Sequence, residues 1–166
     1  RPVHHAVEST SMKCVAEYSS AEGRQVLEKL GLYSTLKDAL AAPHLVVRRG
    51  VSRELKAHVG AVLARSGWAF DIRLGSGSQV SLSAFHHLGA GVQVQTGNVA
   101  RAFYDLLKLQ SMFDQERMKV GVMLLPTKEA ARTLGDNIAN FDRTRLEHDY
   151  YFSNAIDLPL MMFAFE

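Results

Sequence analysis

The sequence predicts an α/β fold, a mixed β-sheet flanked by helices on both faces. Three observations carry this reading. Two apolar runs, Val120 to Pro126 and Leu158 to Phe165, have the length of buried strands. Segments with apolar residues at helical spacing separate them from the rest. A block from Trp68 to Gln95, punctuated by glycine and serine, reads as a meander of short strands.

The elements follow in order. Residues 1–11 have no usable period and read as an extension or cloning remnant, with Met12 a plausible native start and 12–166 a single domain. Lys13 to Tyr18 is a short strand. Ser19 or Ser20 then offers an N-cap to a helix that runs to Leu30 and stops at Gly31. Ser34 opens a second helix, Thr35 to Ala41, which Pro43 ends. Leu45 to Arg48 is a brief strand or an extended connection. Ser52 caps a third helix, Arg53 to Arg65, with Leu55, Val59, Val62 and Leu63 on one stripe.

Strands are expected at Trp68 to Leu74, Val80 to Phe85 and Val92 to Gln95, joined by turns at Gly75 to Ser78 and Leu88 to Gly91. Asn98 is placed to cap a long helix, Val99 to Phe113. Its apolar stripe would be Val99, Ala102, Phe103, Leu106, Leu107 and Phe113, with Arg101, Asp105 and Lys108 together on the opposite face. Val120 to Leu125 is a central strand ended by Pro126, and Thr127 caps a helix from Lys128 to Leu134. A polar stretch, Asp136 to Asp149, precedes the last strand, Leu158 to Phe165.

Composition excludes several classes. The chain has 166 residues, 47 % hydrophobic and 22 % charged, which argues against disorder and against a disulfide scaffold. One cysteine, Cys14, allows no internal bridge and fits a reducing compartment. No apolar run approaches the ~20 residues of a membrane span. A cytoplasmic or nucleoid-associated protein is expected, not a secreted one. The balance of 19 basic and 17 acidic residues permits nucleic-acid binding without demanding it.

Chemistry is expected between Val80 and Lys108. On a strand, Gln93 and Gln95 project from one face and Val92 and Val94 from the other. Two neighbouring amides on a sheet face are unusual, although a hydrogen-bonded strand face explains them without any function. His86 and His87 lack the spacing and cysteine partners of a zinc site. The Gly75 to Ser78 stretch lacks the lysine of a P-loop, and no nucleophile-elbow pattern surrounds any serine.

The segments MKCVAEYSSAEG, GVQVQTGNVARAFYDLLKLQ, MKVGVMLLPTKEAARTLGDNIANF and IDLPLMMFAFE, taken in order, resemble the BglII-type restriction endonucleases, a branch of the PD-(D/E)XK nucleases. The resemblance covers Met12 to the end. It implies a restriction-endonuclease-like fold, double-stranded DNA as ligand, a homodimer, and Mg²⁺ held by an aspartate on one hairpin strand and a glutamate on the next. Hard oxygen ligands are what such an ion requires.

Carried onto this chain, the family's glutamine falls on Gln95 and is kept. The glutamate falls on Gln93, and the aspartate, nine positions earlier, on Ala84. From Val80 to Gln95 there is no Asp or Glu, so no small shift of alignment restores either carboxylate. The expectation is a pseudonuclease that binds DNA and needs no cofactor, with Mg²⁺ relevant only if cleavage persists. Natural loss and deliberate inactivation both explain the two positions, and Ala84→Asp with Gln93→Glu is the pair expected to rebuild the site.

Two alternatives stand. One is an active Mg²⁺-dependent enzyme with relocated carboxylates, drawn from Asp71, Glu54 and Asp105, or with His86 as base. The plainer reading makes Asp71 a strand end, Glu54 part of a solvated helix face, Asp105 a salt-bridge partner and His86 a turn residue. The other alternative is a protein-interaction module on the same scaffold. If DNA is bound, Arg48, Arg49, Arg53, Lys56, Arg73, Arg143 and Arg145 are candidates for phosphate, and the polar segment Gly135 to Arg145 is the candidate reading loop. Scattered arginines are also what an ordinary solvated surface carries.

Overall fold

The computed structural model describes residues 11–166. The extension expected over residues 1–11 therefore lies, up to residue 10, outside the described residues. One six-stranded sheet organises the chain, in the order β1-β6-β5-β4-β3-β2. The strands are β1 (Cys14–Ser20), β2 (Ala69–Arg73), β3 (Ser81–His86), β4 (Ala90–Val94), β5 (Val120–Pro126) and β6 (Leu160–Phe165). The central pairs β4–β5 and β5–β6 are parallel, and the outer pairs are antiparallel. The sheet is thus mixed, as expected.

The helices are α1 (Gly23–Leu30), α2 (Tyr33–Ala39), α3 (Ser52–Arg65), α4 (Arg101–Asp114), α5 (Lys128–Leu134) and α6 (Phe141–Glu147), the last running into a π-helical turn at His148–Phe152. Helices α1 to α3 cover one face of the sheet, where Leu27, Leu36, Leu55, Val59 and Leu63 pack with Val92, Val122 and Phe163. Helices α4 and α6 cover the other, where Leu106, Leu109 and Phe141 pack with Met123, Leu125 and Met162. The alternation of strand side chains divides β5 and β6 between these two cores. No described helix is long and apolar enough to cross a membrane.

Several local readings are realised by their own chemistry. Gly31, at φ 74°, terminates α1 where a side chain would be strained. Thr127 Oγ1 accepts the Ala130 N–H at 3.1 Å and starts α5 at Lys128. Gly23 lets α1 begin against β6, since a Cβ there would lie 2.1 Å from the Leu160 carbonyl oxygen.

Others differ. Of the two readings of Leu45 to Arg48, the strand is not formed and the connection is, because its backbone bonds close a local turn and join Met12. Ser52 makes no side-chain cap, and α3 starts at Ser52 itself. Asn98 accepts the Ala100 N–H at 2.9 Å, which makes a local turn, and α4 begins only at Arg101. The turn expected at Leu88 to Gly91 spans His87 to Gly89 instead, closed by the Gly89 N–H on the His86 carbonyl with Gly89 left-handed, and Ala90 and Gly91 already belong to β4. The polar segment expected to be a loop contains α6, whose cap is Asn140 Oδ1 accepting the Arg143 N–H at 3.0 Å.

The face of α4 is also rotated from the expected stripe. Leu107 is 57 % exposed, while Asp105 and Gln110 are buried. Polar partners across the interface explain the rotation. Gln110 accepts the backbone N–H groups of Asp157 and Leu158 and ties α4 to the segment before β6. Asp105 meets the amides of Gln93 and Gln95.

Candidate functional site

The hairpin β3–β4 pairs Ala84 with Val92, so Ser83 stands opposite Gln93. The next strand pairs Phe70 with Ala84 and Ile72 with Leu82, which places Asp71 beside Ser83. One row across the sheet therefore reads Asp71, Ser83, Gln93. It lies in a cleft of about 640 Å³ between the sheet edge, α4 and the start of α3, whose wall includes Ser81, Gln95, Gly97, Arg101, Asp105 and Lys108.

At its centre is a closed polar network. Gln93 Nε2 donates to Asp105 Oδ1 at 3.1 Å and Gln95 Nε2 donates to Asp105 Oδ2 at 2.5 Å. Lys108 Nζ lies 3.0 Å from Asp105 Oδ1 and donates to the Ser81 carbonyl at 2.8 Å. The amide oxygens point the other way. Gln93 Oε1 accepts from the Ser83 N–H and Oγ–H, and Gln95 Oε1 accepts from the Gly97 N–H. The orientation is forced, because an ionised carboxylate only accepts and so requires the NH₂ end of each amide. Gly97 suits its place, since a Cβ there would come 2.9 Å from Gln95 Oε1.

Burial sets the energetics. The side chains of Asp105 and Lys108 are 5 % and 11 % exposed. Charges at that depth are tolerated only when paired and hydrogen-bonded, and here each has several partners. A divalent ion needs several hard oxygen ligands. In this cleft the amide oxygens are turned to backbone and serine donors, both Asp105 oxygens are taken by N–H donors, and an ammonium stands beside the carboxylate. So arranged, the residues do not fit Mg²⁺. Among the described residues no group of three or more His, Cys, Asp or Glu side chains is placed to hold a metal ion.

The structure brings some of the sequence candidates together and not others. Gln93, Gln95, Asp105, Asp71 and Lys56 all line the cleft. Ala84 does not. It shares its face with Val92 and is buried in the core beneath α1 to α3. The position on the cleft side is Ser83, one residue earlier, and an aspartate at 84 would enter the apolar core. His86 has the parity of Ala84, is buried, stacks on His87 and meets Trp68 edge-on, away from the cleft. Burial, followed by repulsion from His87, lowers its pKa. Glu54 pairs with Arg48 at 3.2 Å on an exposed surface and is not part of the cleft wall.

The basic candidates are dispersed. Arg49 lies 3.8 Å from Asp136, and Arg143 pairs with Glu147 at 2.7 Å. Arg145 stacks over the Tyr18 ring, while Arg53 and Arg73 are exposed outside the cleft wall. Ser83, Ser81, Arg101 and Lys108 are among the cleft residues that sequence reasoning left out of the site. The signal was present in Arg101, Asp105 and Lys108 sharing one helix face, which reads equally well as a solvated surface.

Comparison with known proteins bears on this arrangement. The family model for restriction endonuclease BamHI matches residues 33–163. No curated protein matches the chain. A crystal structure of the restriction endonuclease BglII complexed with a DNA 16-mer is similar with a TM-score of 0.72 and 10 % identity, over 93 % of this chain and 76 % of that one. Free BglII gives a TM-score of 0.66 at 10 % identity, over 93 % and 79 %. At that identity the likeness is one of fold.

Proposed function

The chain belongs to the BamHI restriction endonuclease family, and from that premise we propose that it binds double-stranded DNA in its cleft without cleaving it. The observation that carries the reading is the network on β4. Where cleavage needs charged oxygen ligands for an ion that activates water, this cleft offers two glutamine amides locked onto one carboxylate. Binding is supported by Lys56 and Arg101, cations on the cleft wall for which no carboxylate partner occurs among the described residues.

A second reading rests on Asp71 and Asp105, both of which line the cleft. An active enzyme would draw on those two carboxylates in place of the hairpin pair. The protein-interaction module is the third possibility, and it predicts no affinity for DNA.

A titration of duplex DNA at two salt concentrations, with Mg²⁺ present and the product run on a gel, separates the three. Neutralising several phosphates makes affinity fall steeply with salt. Salt-sensitive binding with intact DNA is the expected result. Nicking would establish the relocated-carboxylate enzyme, and absence of binding in both salts would move the function to a protein partner.

The homodimer and the cytoplasmic location belong to the same proposal. For the dimer, the support is an exposed apolar surface in which Leu107 of α4 and Tyr150 and Tyr151 of the π-helical turn are 57 %, 72 % and 76 % exposed. Phe103 and Phe152, 4.8 Å apart between ring centroids, bridge those two segments. Apolar patches of this kind mark association surfaces.

A further inference from the structure

We infer that the Lys108 ammonium serves as the fixed cation of the cleft, holding the place of a divalent ion and making DNA binding independent of metal. The inference rests on the DNA-binding reading for its second half only. Nζ of Lys108 is held by oxygen atoms of the cleft. A carboxylate oxygen, Asp105 Oδ1, lies at 3.0 Å and a backbone carbonyl oxygen, that of Ser81, at 2.8 Å. The Tyr104 ring adds its face at 5.2 Å from the ring centroid. All three contacts are made by a side chain only 11 % exposed.

The consequence for metal is competitive. An incoming ion would need the oxygens that Lys108 and the two amides already occupy. It would have to expel a buried ammonium and turn both Gln93 and Gln95 away from Asp105 at once. Each loss leaves a buried polar group unpaired, which is the costly state.

The consequence for DNA is electrostatic. A cleft lined by bare carboxylates repels a phosphodiester until an ion neutralises them. Here Asp105 is neutralised in place, and the other carboxylate of the wall, Asp71, is outnumbered by Lys56 and Arg101, so these two cations meet the phosphate without a bound ion.

The test uses Mn²⁺ alone as the probe. Binding of Mn²⁺ to the free protein is followed by its electron paramagnetic resonance signal, for the natural sequence and for Lys108→Met, Lys108→Gln and Lys108→Met with Asp105→Asn. The natural sequence should show no saturable site. Lys108→Met should gain one, and the double variant should lose it. Lys108→Gln keeps a donor toward Ser81 without the charge, and gives the same answer if Lys108→Met does not fold. Duplex DNA is then titrated in EDTA and in Mn²⁺ at matched ionic strength. The natural protein should bind equally in both, and Lys108→Met about tenfold more weakly in EDTA, with recovery in Mn²⁺. Saturable Mn²⁺ binding by the natural protein that Asp105→Asn abolishes would overturn the inference. So would a folded Lys108 variant with no gain in Mn²⁺ affinity. A gain in Mn²⁺ affinity without DNA binding by any form would uphold the cation role and reject the DNA reading.

Discussion

At the scale of single residues, the parity of one strand decides what the cleft contains. Ala84 and Ser83 are neighbours in the chain but stand on opposite faces of β3, one against Val92 in the core and one against Gln93 in the cleft. A carboxylate is therefore accommodated at one and not the other. Ala84→Asp should destabilise the protein by about 3 kcal/mol or more, because it buries a charge or a protonated acid without a partner. Ser83→Asp should cost clearly less, since its side chain meets the cleft. Urea unfolding of the two variants checks the difference, and equal losses would show that β3 does not hold this register. The same parity means that Gln93→Glu with Ser83→Asp, rather than with Ala84→Asp, is the pair that puts two acids in the cleft.

At the scale of elements, helix starts show where side-chain chemistry sets a boundary and where packing does. Thr127 and Asn140 each accept a backbone N–H in the first turn of their helices. Ser52 has the residue type of a cap but makes no such bond. Thr127→Ala should therefore cost about 1 kcal/mol, while Ser52→Ala should stay within about 0.5 kcal/mol. Thermal unfolding of both variants reads this directly, and a larger loss at Ser52 would contradict the assignment of α3. The continuous apolar runs of β5 and β6 were readable from sequence because both strands are buried on both faces. The rotation of α4 was not, because its sheet-facing side carries Asp105 and Gln110, residues that look solvated until their partners are known.

At the scale of the whole molecule, two layers of helix bury titratable groups that respond to pH together. His58 in α3 and His86 in β3 both have lowered pKa values, chiefly through burial, with His44 and His87 adding repulsion. The unfolded chain binds protons at these sites more readily than the folded one. Stability should therefore be fully present above the usual histidine range near about 6.5 and fall as pH drops through the lowered values. Urea midpoints between pH 8 and pH 5 check this. A slope that vanishes in His58→Phe with His86→Phe assigns it to the pair, whereas an unchanged slope would assign it to carboxylates.

The α/β class, the strands, most of the helices and the absence of any acid between Val80 and Gln95 are legible along the chain alone. These are properties of local periodicity, turn residues and composition, which need no partner to be read. Tertiary structure decided the site. Which of Ser83 and Ala84 faces Gln93 depends on hairpin register. That Asp105 and Lys108 are an interior pair rather than a surface one depends on α4 lying against β4. A charged side chain has no fixed meaning along a sequence, because its energy is set by the distance to partners and the depth from water that only packing supplies.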